Sequence, residues 1–158
     1  SQDYGAGGQG LGMVATGLNG SYDHGATKAV LSSPEFVLKG EILTLTYQVK
    51  AQLQDNSCSA DLFTVELLAY GVTTVLGQLC QSLVGFTSFE VDLSPYRNQI
   101  GQLRFTFQSD EQSNAGFGVA IDEVALEAVY ACDDGDSCTS TDLCKQGICQ
   151  GEAQDPCP

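Results

Sequence analysis

Seven cysteines are the residues of this 158-residue chain best equipped for chemistry: Cys58, Cys80, Cys132, Cys138, Cys144, Cys149 and Cys157. Thiolates could hold a metal or close disulfides. Zinc ligands usually come as CxxC or CxxxC pairs. Here five of the seven fall between Cys132 and the C-terminus, with wider gaps that hold Asp and Gly. That spacing reads as the disulfide framework of an exported protein, not as a metal centre. The count is odd, so one thiol is free, paired with another chain, or parted from a partner outside this sequence.

The rest of the chemical inventory is thin. There is one His, His24, and no Trp. His24 lies beside Gly and Asp and reads as a solvated turn residue, so no Ser/His/acid or Cys/His arrangement can be built around it. A carboxylate pair for glycoside hydrolysis could be drawn from the acids, but such pairs sit in clefts with aromatic sugar platforms, and Trp is missing. The sequence is therefore read as no enzyme. Asp133, Asp134 and Asp136 start like a calcium loop but break the D-x-[DN]-x-[DN]-G pattern, and read as an acidic turn. Tyr4, Tyr22, Tyr47, Tyr70, Tyr96 and Tyr130 remain as sugar-stacking candidates, of which Tyr47 and Tyr130 fall on core parity.

Charge narrows the partners. Twenty acidic residues against six basic ones give a net charge of -14. Such a surface lacks the clustered Lys and Arg that neutralise phosphates, which excludes nucleic acid and an electrostatic hold on anionic membranes. No apolar run approaches the ~18 residues of a spanning helix, so no direct membrane insertion is expected. A protein or glycan surface ligand, or further copies of the chain, remain as partners.

The elements that must position these residues follow a period of two. Hydrophobic residues make up 42% of the chain, enough for a core. In residues 41–51, Leu43, Leu45, Tyr47 and Val49 alternate with Thr44, Thr46, Gln48 and Lys50. Phe89, Val91 and Leu93 face in against Ser88, Glu90 and Asp92; Leu103, Phe105 and Phe107 face in against Arg104, Thr106 and Gln108. Residues 62–70 and 72–79 flank Gly71 as a hairpin. Cys58 and Cys80 then meet at its open end, where a bridge adds about 3 kcal/mol in the chain-entropy model. The last long strand changes parity, with Phe117, Val119 and Ile121 odd but Val124, Leu126, Ala128 and Tyr130 even. A bulge at Asp122-Glu123 reconciles the two sets, and it makes Asp122 the most interesting acid of the body.

These patterns give an all-β chain: an antiparallel two-sheet sandwich of about eight strands with a C-terminal disulfide-rich irregular tail. Residues 1–26 form a Gly-rich arm that could supply a first strand near Leu11–Ala15. The body covers 27–131, and 132–158 is the Cys-rich knot. Asn19-Gly20-Ser21 is a formal glycosylation sequon that reads first as a turn. The polar start at Ser1 is read as a mature N-terminus.

Within the stretch that begins at residue 86, the run 89–128, "FEVDLSPYRNQIGQLRFTFQSDEQSNAGFGVAIDEVALEA", resembles the C-terminal half of a MAM-type jelly roll, especially its bacterial secreted relatives. Upstream, "KAVLSSPEFVLKGEILTLTYQVKA" is similar to the same family, and Cys132 matches its closing cysteine. The family's Trp positions are unmatched, and Glu123 stands where it has a second Asp. The resemblance implies a jelly-roll fold, a non-catalytic extracellular or cell-surface role in adhesion or interaction, and a structural calcium ion at Asp122, with Asp3 as a guessed partner. The tail, "CDDGDSCTSTDLCKQGICQG", is similar to short Cys-rich repeats of bacterial and slime-mould surface proteins. Beside that resemblance the favoured pairings are Cys132–Cys144 and Cys138–Cys149, with Cys157 left unpaired or intermolecular. An alternative function is a self-assembling subunit of an extracellular filament or layer, formed by strand exchange, an intermolecular disulfide, or both.

Overall fold

A computed structural model describes residues 14–16, 28–53, 58–110, 116–133, 136, 138–145 and 148–153. Eleven strands appear among them: β1 (Val14–Ala15), β2 (Lys28–Ser32), β3 (Phe36–Val37), β4 (Ile42–Gln52), β5 (Leu62–Ala69), β6 (Val72–Leu79), β7 (Thr87–Asp92), β8 (Ile100–Gln108), β9 (Gly118–Ala131), β10 (Thr139–Lys145) and β11 (Ile148–Ala153). The only helical element among the described residues is a 3-10 turn at Ser94–Tyr96.

All pairings are antiparallel. One sheet runs β11-β10-β9-β4-β7, with β1 on the same edge of β9 as β10. The other runs β2-β8-β5-β6, with β3 also on β8. Without the tail strands, β1-β9-β4-β7 faces β2-β8-β5-β6, which is the strand order of a jelly roll. The arm's short strand is thus the first strand of its own sandwich, with Val14 opposite Ile121 and Ala15 opposite Ala120.

Alternation decides what the sheets bury. Leu43, Leu45, Tyr47, Val49 and Ala51 of β4 meet Phe63, Val65 and Leu67 of β5 and Leu103, Phe105 and Phe107 of β8 in one core. Leu38 and Leu93 close it from the loops. In β5 and β6, Tyr70 and Gly71 turn the chain with φ of 49° and 75°. Both central residues of a type I′ hairpin need positive φ, which Gly71 adopts without strain. Cys58 and Cys80 are bridged at the other end, with Cα atoms 4.9 Å apart.

The parity change in β9 is a bulge. Thr46 pairs with Ala125 and Gln48 with Asp122, so Glu123 and Val124 together oppose Tyr47. The extra residue therefore falls at Glu123-Val124, one position beyond the expected pair, and Glu123 takes a φ of 49°. Past the bulge the parity holds, since Leu126 opposes Leu45 and Ala128 opposes Leu43. Burial does not follow it. Val124 and Leu126 are exposed, and Tyr130, expected in the core, is 50% exposed. β9 has fourteen residues, whereas the second sheet's longest strand, β8, has nine, so the C-terminal half of β9 outruns its cover.

The tail is more regular than an irregular knot. β10 and β11 form a hairpin that extends the first sheet, with Leu143 opposite Ala131 and Cys144 opposite Tyr130. Its cysteine pairing also differs from the expected one. Cys132 is bonded to Cys149, with Cα atoms 5.9 Å apart, and not to Cys144. Cys138 is disulfide-bonded to a partner other than Cys149. Cys144 is the free cysteine among the described residues, while Cys157 lies outside them. The physical reason is the hairpin. It sets β10 between β9 and β11, and Cys132, just past the end of β9, is bonded across it to Cys149 although Cys144 is nearer in sequence.

Candidate functional site

Outward parity on the first sheet builds a trough. β7 presents Ser88 and Glu90, β4 presents Thr44, Thr46 and Gln48, and β9 presents Glu127. Outward residues alternate along each strand, and neighbouring strands lie about 4.8 Å apart, so these side chains form a grid of hydrogen-bonding groups. Two hollows lie on it. One, of about 350 Å³, is lined by Thr46, Gln48, Ser88, Glu90 and Glu123 among others. The second, of about 500 Å³, continues past Thr44 and Glu127 to Leu143 and Gln150 of the tail hairpin. Thr46 and Glu90 line both, so the hollows join into one trough across five strands.

The trough is anionic. Glu90, Glu123 and Glu127 line it, and no Lys or Arg does among the described residues. Lys50 shares the face but lies beyond the trough, with its ammonium over the Phe117 ring at 5.4 Å from the centroid. Arg97 is committed to Glu41 at 3.5 Å and Arg104 to Glu66 at 4.0 Å. The Gln48 amide donates to the Glu123 carboxylate, which the bulge has turned onto this face. Near the rim, Asp92 accepts from the Ser94 N–H at 2.8 Å. Hydrogen bonds from the Ser94 side chain and then its backbone hold the Asp92 carboxyl below the usual carboxylate range.

The acids singled out by sequence lie elsewhere. Asp122 is 6% exposed, and its Oδ1 accepts from the Glu123 N–H at 2.9 Å, so its carboxylate braces the bulge. Asp3 lies outside the described residues, as do Asp134, His24, Tyr4 and Tyr22. Among the described residues no three His, Cys, Asp or Glu side chains converge on a metal position. Asp136 serves its turn, accepting from the Cys138 N–H at 2.9 Å. The trough residues themselves, Thr44, Thr46, Glu90 and Glu127, were visible in the sequence only as outward-facing positions. Their one signal is that the outward rows hold hydroxyls and carboxylates in place of the Lys and Arg of a mixed surface.

No family model matches the chain, and no curated protein does. Several solved structures share part of the fold, two of them sugar-binding domains. One is Caldicellulosiruptor saccharolyticus CBM27-1, in complex with mannohexaose, at 15% identity over 73% of this chain and 71% of that one, with a TM-score of 0.42. The other is the EclA C-terminal domain, a sugar-binding protein, at 15% identity over 78% and 82% of the two chains, with a TM-score of 0.37. The jelly roll rests on the chain's own strand order. No helix among the described residues is long and apolar enough to cross a membrane.

Proposed function

We propose that the chain is a non-catalytic binding module of an exported protein and that its trough takes a neutral glycan. The observation that carries this reading is the continuous trough from Ser88 to Gln150, rich in hydroxyl, amide and carboxylate groups and free of cationic lining. Threonine hydroxyls both donate and accept, and carboxylates accept from paired hydroxyls, which suits a polyol. Three carboxylates without a counter-charge repel uronic acids, sulfates and phosphates. Glu90 and Glu127 stand on an open sheet face, not in the enclosed apolar setting that holds a general acid protonated, which supports binding over hydrolysis. The disulfides support an extracellular or cell-surface location. The pairing of β1 with the chain's own β9 supports a closed monomer over a strand-exchanged filament.

Titration calorimetry against a panel of neutral polysaccharides tests the proposal. At least one neutral glycan is expected to bind and to remain uncleaved, while polyuronates do not bind. Glu90→Ala is expected to weaken binding roughly 10- to 100-fold, the worth of a charged hydrogen bond. An empty panel, or binding unaffected by both Glu90→Ala and a trough-filling Thr46→Arg, would overturn it.

Calcium belongs to this reading only as a structural ion at Asp122. At about a hundred times Kd it would add about 2.7 kcal/mol of stability. Identical thermal melts in millimolar calcium and in chelator would remove Asp122 from the ligand set.

A further inference from the structure

Three cysteines meet where the tail joins the body. Cys132 follows β9, and its N–H donates to the Asp142 carbonyl of β10 at 3.1 Å. Cys149 of β11 carries the bond to Cys132. Cys144 of β10 is free, half-buried, and the direct register partner of Cys149. Residues directly opposite in an antiparallel pair share a face and hold their Cβ atoms about 4.5–5.5 Å apart. A disulfide needs a Cβ separation near 3.5–4.5 Å, so closing the Cys144–Cys149 pair takes a small movement.

We propose that Cys144 is an internal nucleophile that exchanges with the Cys132–Cys149 disulfide and switches the tail hairpin between two covalent states. The Cys144 thiol gives its proton to solvent, and the thiolate attacks Cys149 Sγ. The Cys144–Cys149 bond forms as the Cys132–Cys149 bond breaks, and Cys132 leaves as a thiolate that takes a proton from solvent. One disulfide and one thiol stand on each side, so no outside oxidant or reductant is consumed.

The two states differ in what they tie together. With Cys132–Cys149 closed, β11 is covalently fastened to the end of β9. With Cys144–Cys149 closed, the hairpin is stapled to itself. Among the described residues its backbone pairing to the body then consists of Leu143 opposite Ala131, Cys144 opposite Tyr130 and the Cys132 N–H to Asp142 carbonyl bond. The second state lets the hairpin leave the β9 edge. Because Leu143 and Gln150 line one end of the trough, that departure would also shorten it. The exchange rests on the cysteine register alone and stands whether or not the trough binds a glycan.

Rapid alkylation of the native full chain followed by non-reducing peptide mapping reads the switch. Two species are expected, one with Cys144 labelled and Cys132–Cys149 intact, the other with Cys132 labelled and Cys144–Cys149 intact. Their interconversion should accelerate by well over about tenfold between about pH 6 and about pH 8.5, because the thiolate is the attacking form. Cys132→Ser should form Cys144–Cys149 on oxidation, and Cys144→Ser should give one species with no label at Cys132. The proposal is overturned if the label stays on Cys144 at every pH and time, or if the oxidised Cys132→Ser protein keeps Cys144 and Cys149 as free thiols.

Discussion

Tyr47→Ala is expected to lower the unfolding free energy by about 3–5 kcal/mol, the range for removing a buried aromatic ring. Tyr47 is 4% exposed. Its ring stacks on Phe89 at 5.4 Å and meets Phe105 edge-on at 5.8 Å, while Phe105 stacks on Phe63 at 6.4 Å. The ladder crosses the core, with Tyr47 and Phe89 from one sheet and Phe105 and Phe63 from the other, so the cavity would open between the layers. Urea unfolding checks the loss, and a change under about 1 kcal/mol would mean that the rings do not hold the sheets together. The phenol adds a pH signature. Burial pushes the Tyr47 hydroxyl above its ordinary value. A raised folded value means that the stability is fully present below about pH 10 and is lost as the pH rises through the folded value. Tyr47→Phe should keep the packing and lose less stability than the parent on the alkaline side. An identical alkaline decline in both proteins would rule out this phenol as its source.

The same ladder shows what alternation reveals and where it stops. Leu43 to Ala51, Phe63 to Leu67 and Leu103 to Phe107 were legible because a strand with one buried face must alternate. A slip of one residue would turn every apolar group to solvent. The β9 bulge was legible for that reason too, as the device that reconciles odd Ile121 with even Leu126. Tyr130 and Val124 were misread as core because parity gives direction, not depth. Whether a facing strand reaches that far depends on the length of the other sheet, which no local pattern encodes.

The trough and the tail were less legible, for two different reasons. Glu90, Thr46 and Glu127 are ordinary outward residues of three separate strands. They become a site only through the order β7-β4-β9, which long-range pairing fixes. The tail holds five cysteines, and composition does not choose among their possible pairings. The fold does: the bond runs from Cys132, past the end of β9, to Cys149 of β11, and Cys144, the register partner of Cys149, stays a thiol. A hairpin of seven and six residues that holds Asp, Lys, Gly, Glu and Ala and no Val, Tyr or Phe carries little β-propensity of its own, which is why it reads as irregular. Its order comes from the disulfide and from the free edge of β9.

Removing the body disulfide through Cys58→Ser with Cys80→Ser is expected to cost about 3 kcal/mol, with a defined location. The bridge closes a loop of sequence separation 22 around the β5–β6 hairpin. β6 is an edge strand that pairs only with β5 among the described residues. Its register shifts between Val65 and Glu66, which interrupts the ladder midway. Gly77 sits at that shift, with the Tyr47 hydroxyl 3.2 Å from where a Cβ would stand, so a bulkier residue there would press on the aromatic ladder. An edge strand with a broken ladder depends more on its covalent staple than a central strand does. Hydrogen exchange in the double variant should therefore quicken first in β6 and in the open end of β5, and last in β4 and β8. The trough belongs to the opposite sheet, so ligand affinity below the melting transition should stay within about twofold of the parent, because distant sites act nearly independently. Uniform loss of protection through both sheets would show that the bridge supports the whole sandwich. Loss of binding in a protein still folded would show that the trough depends on the second sheet.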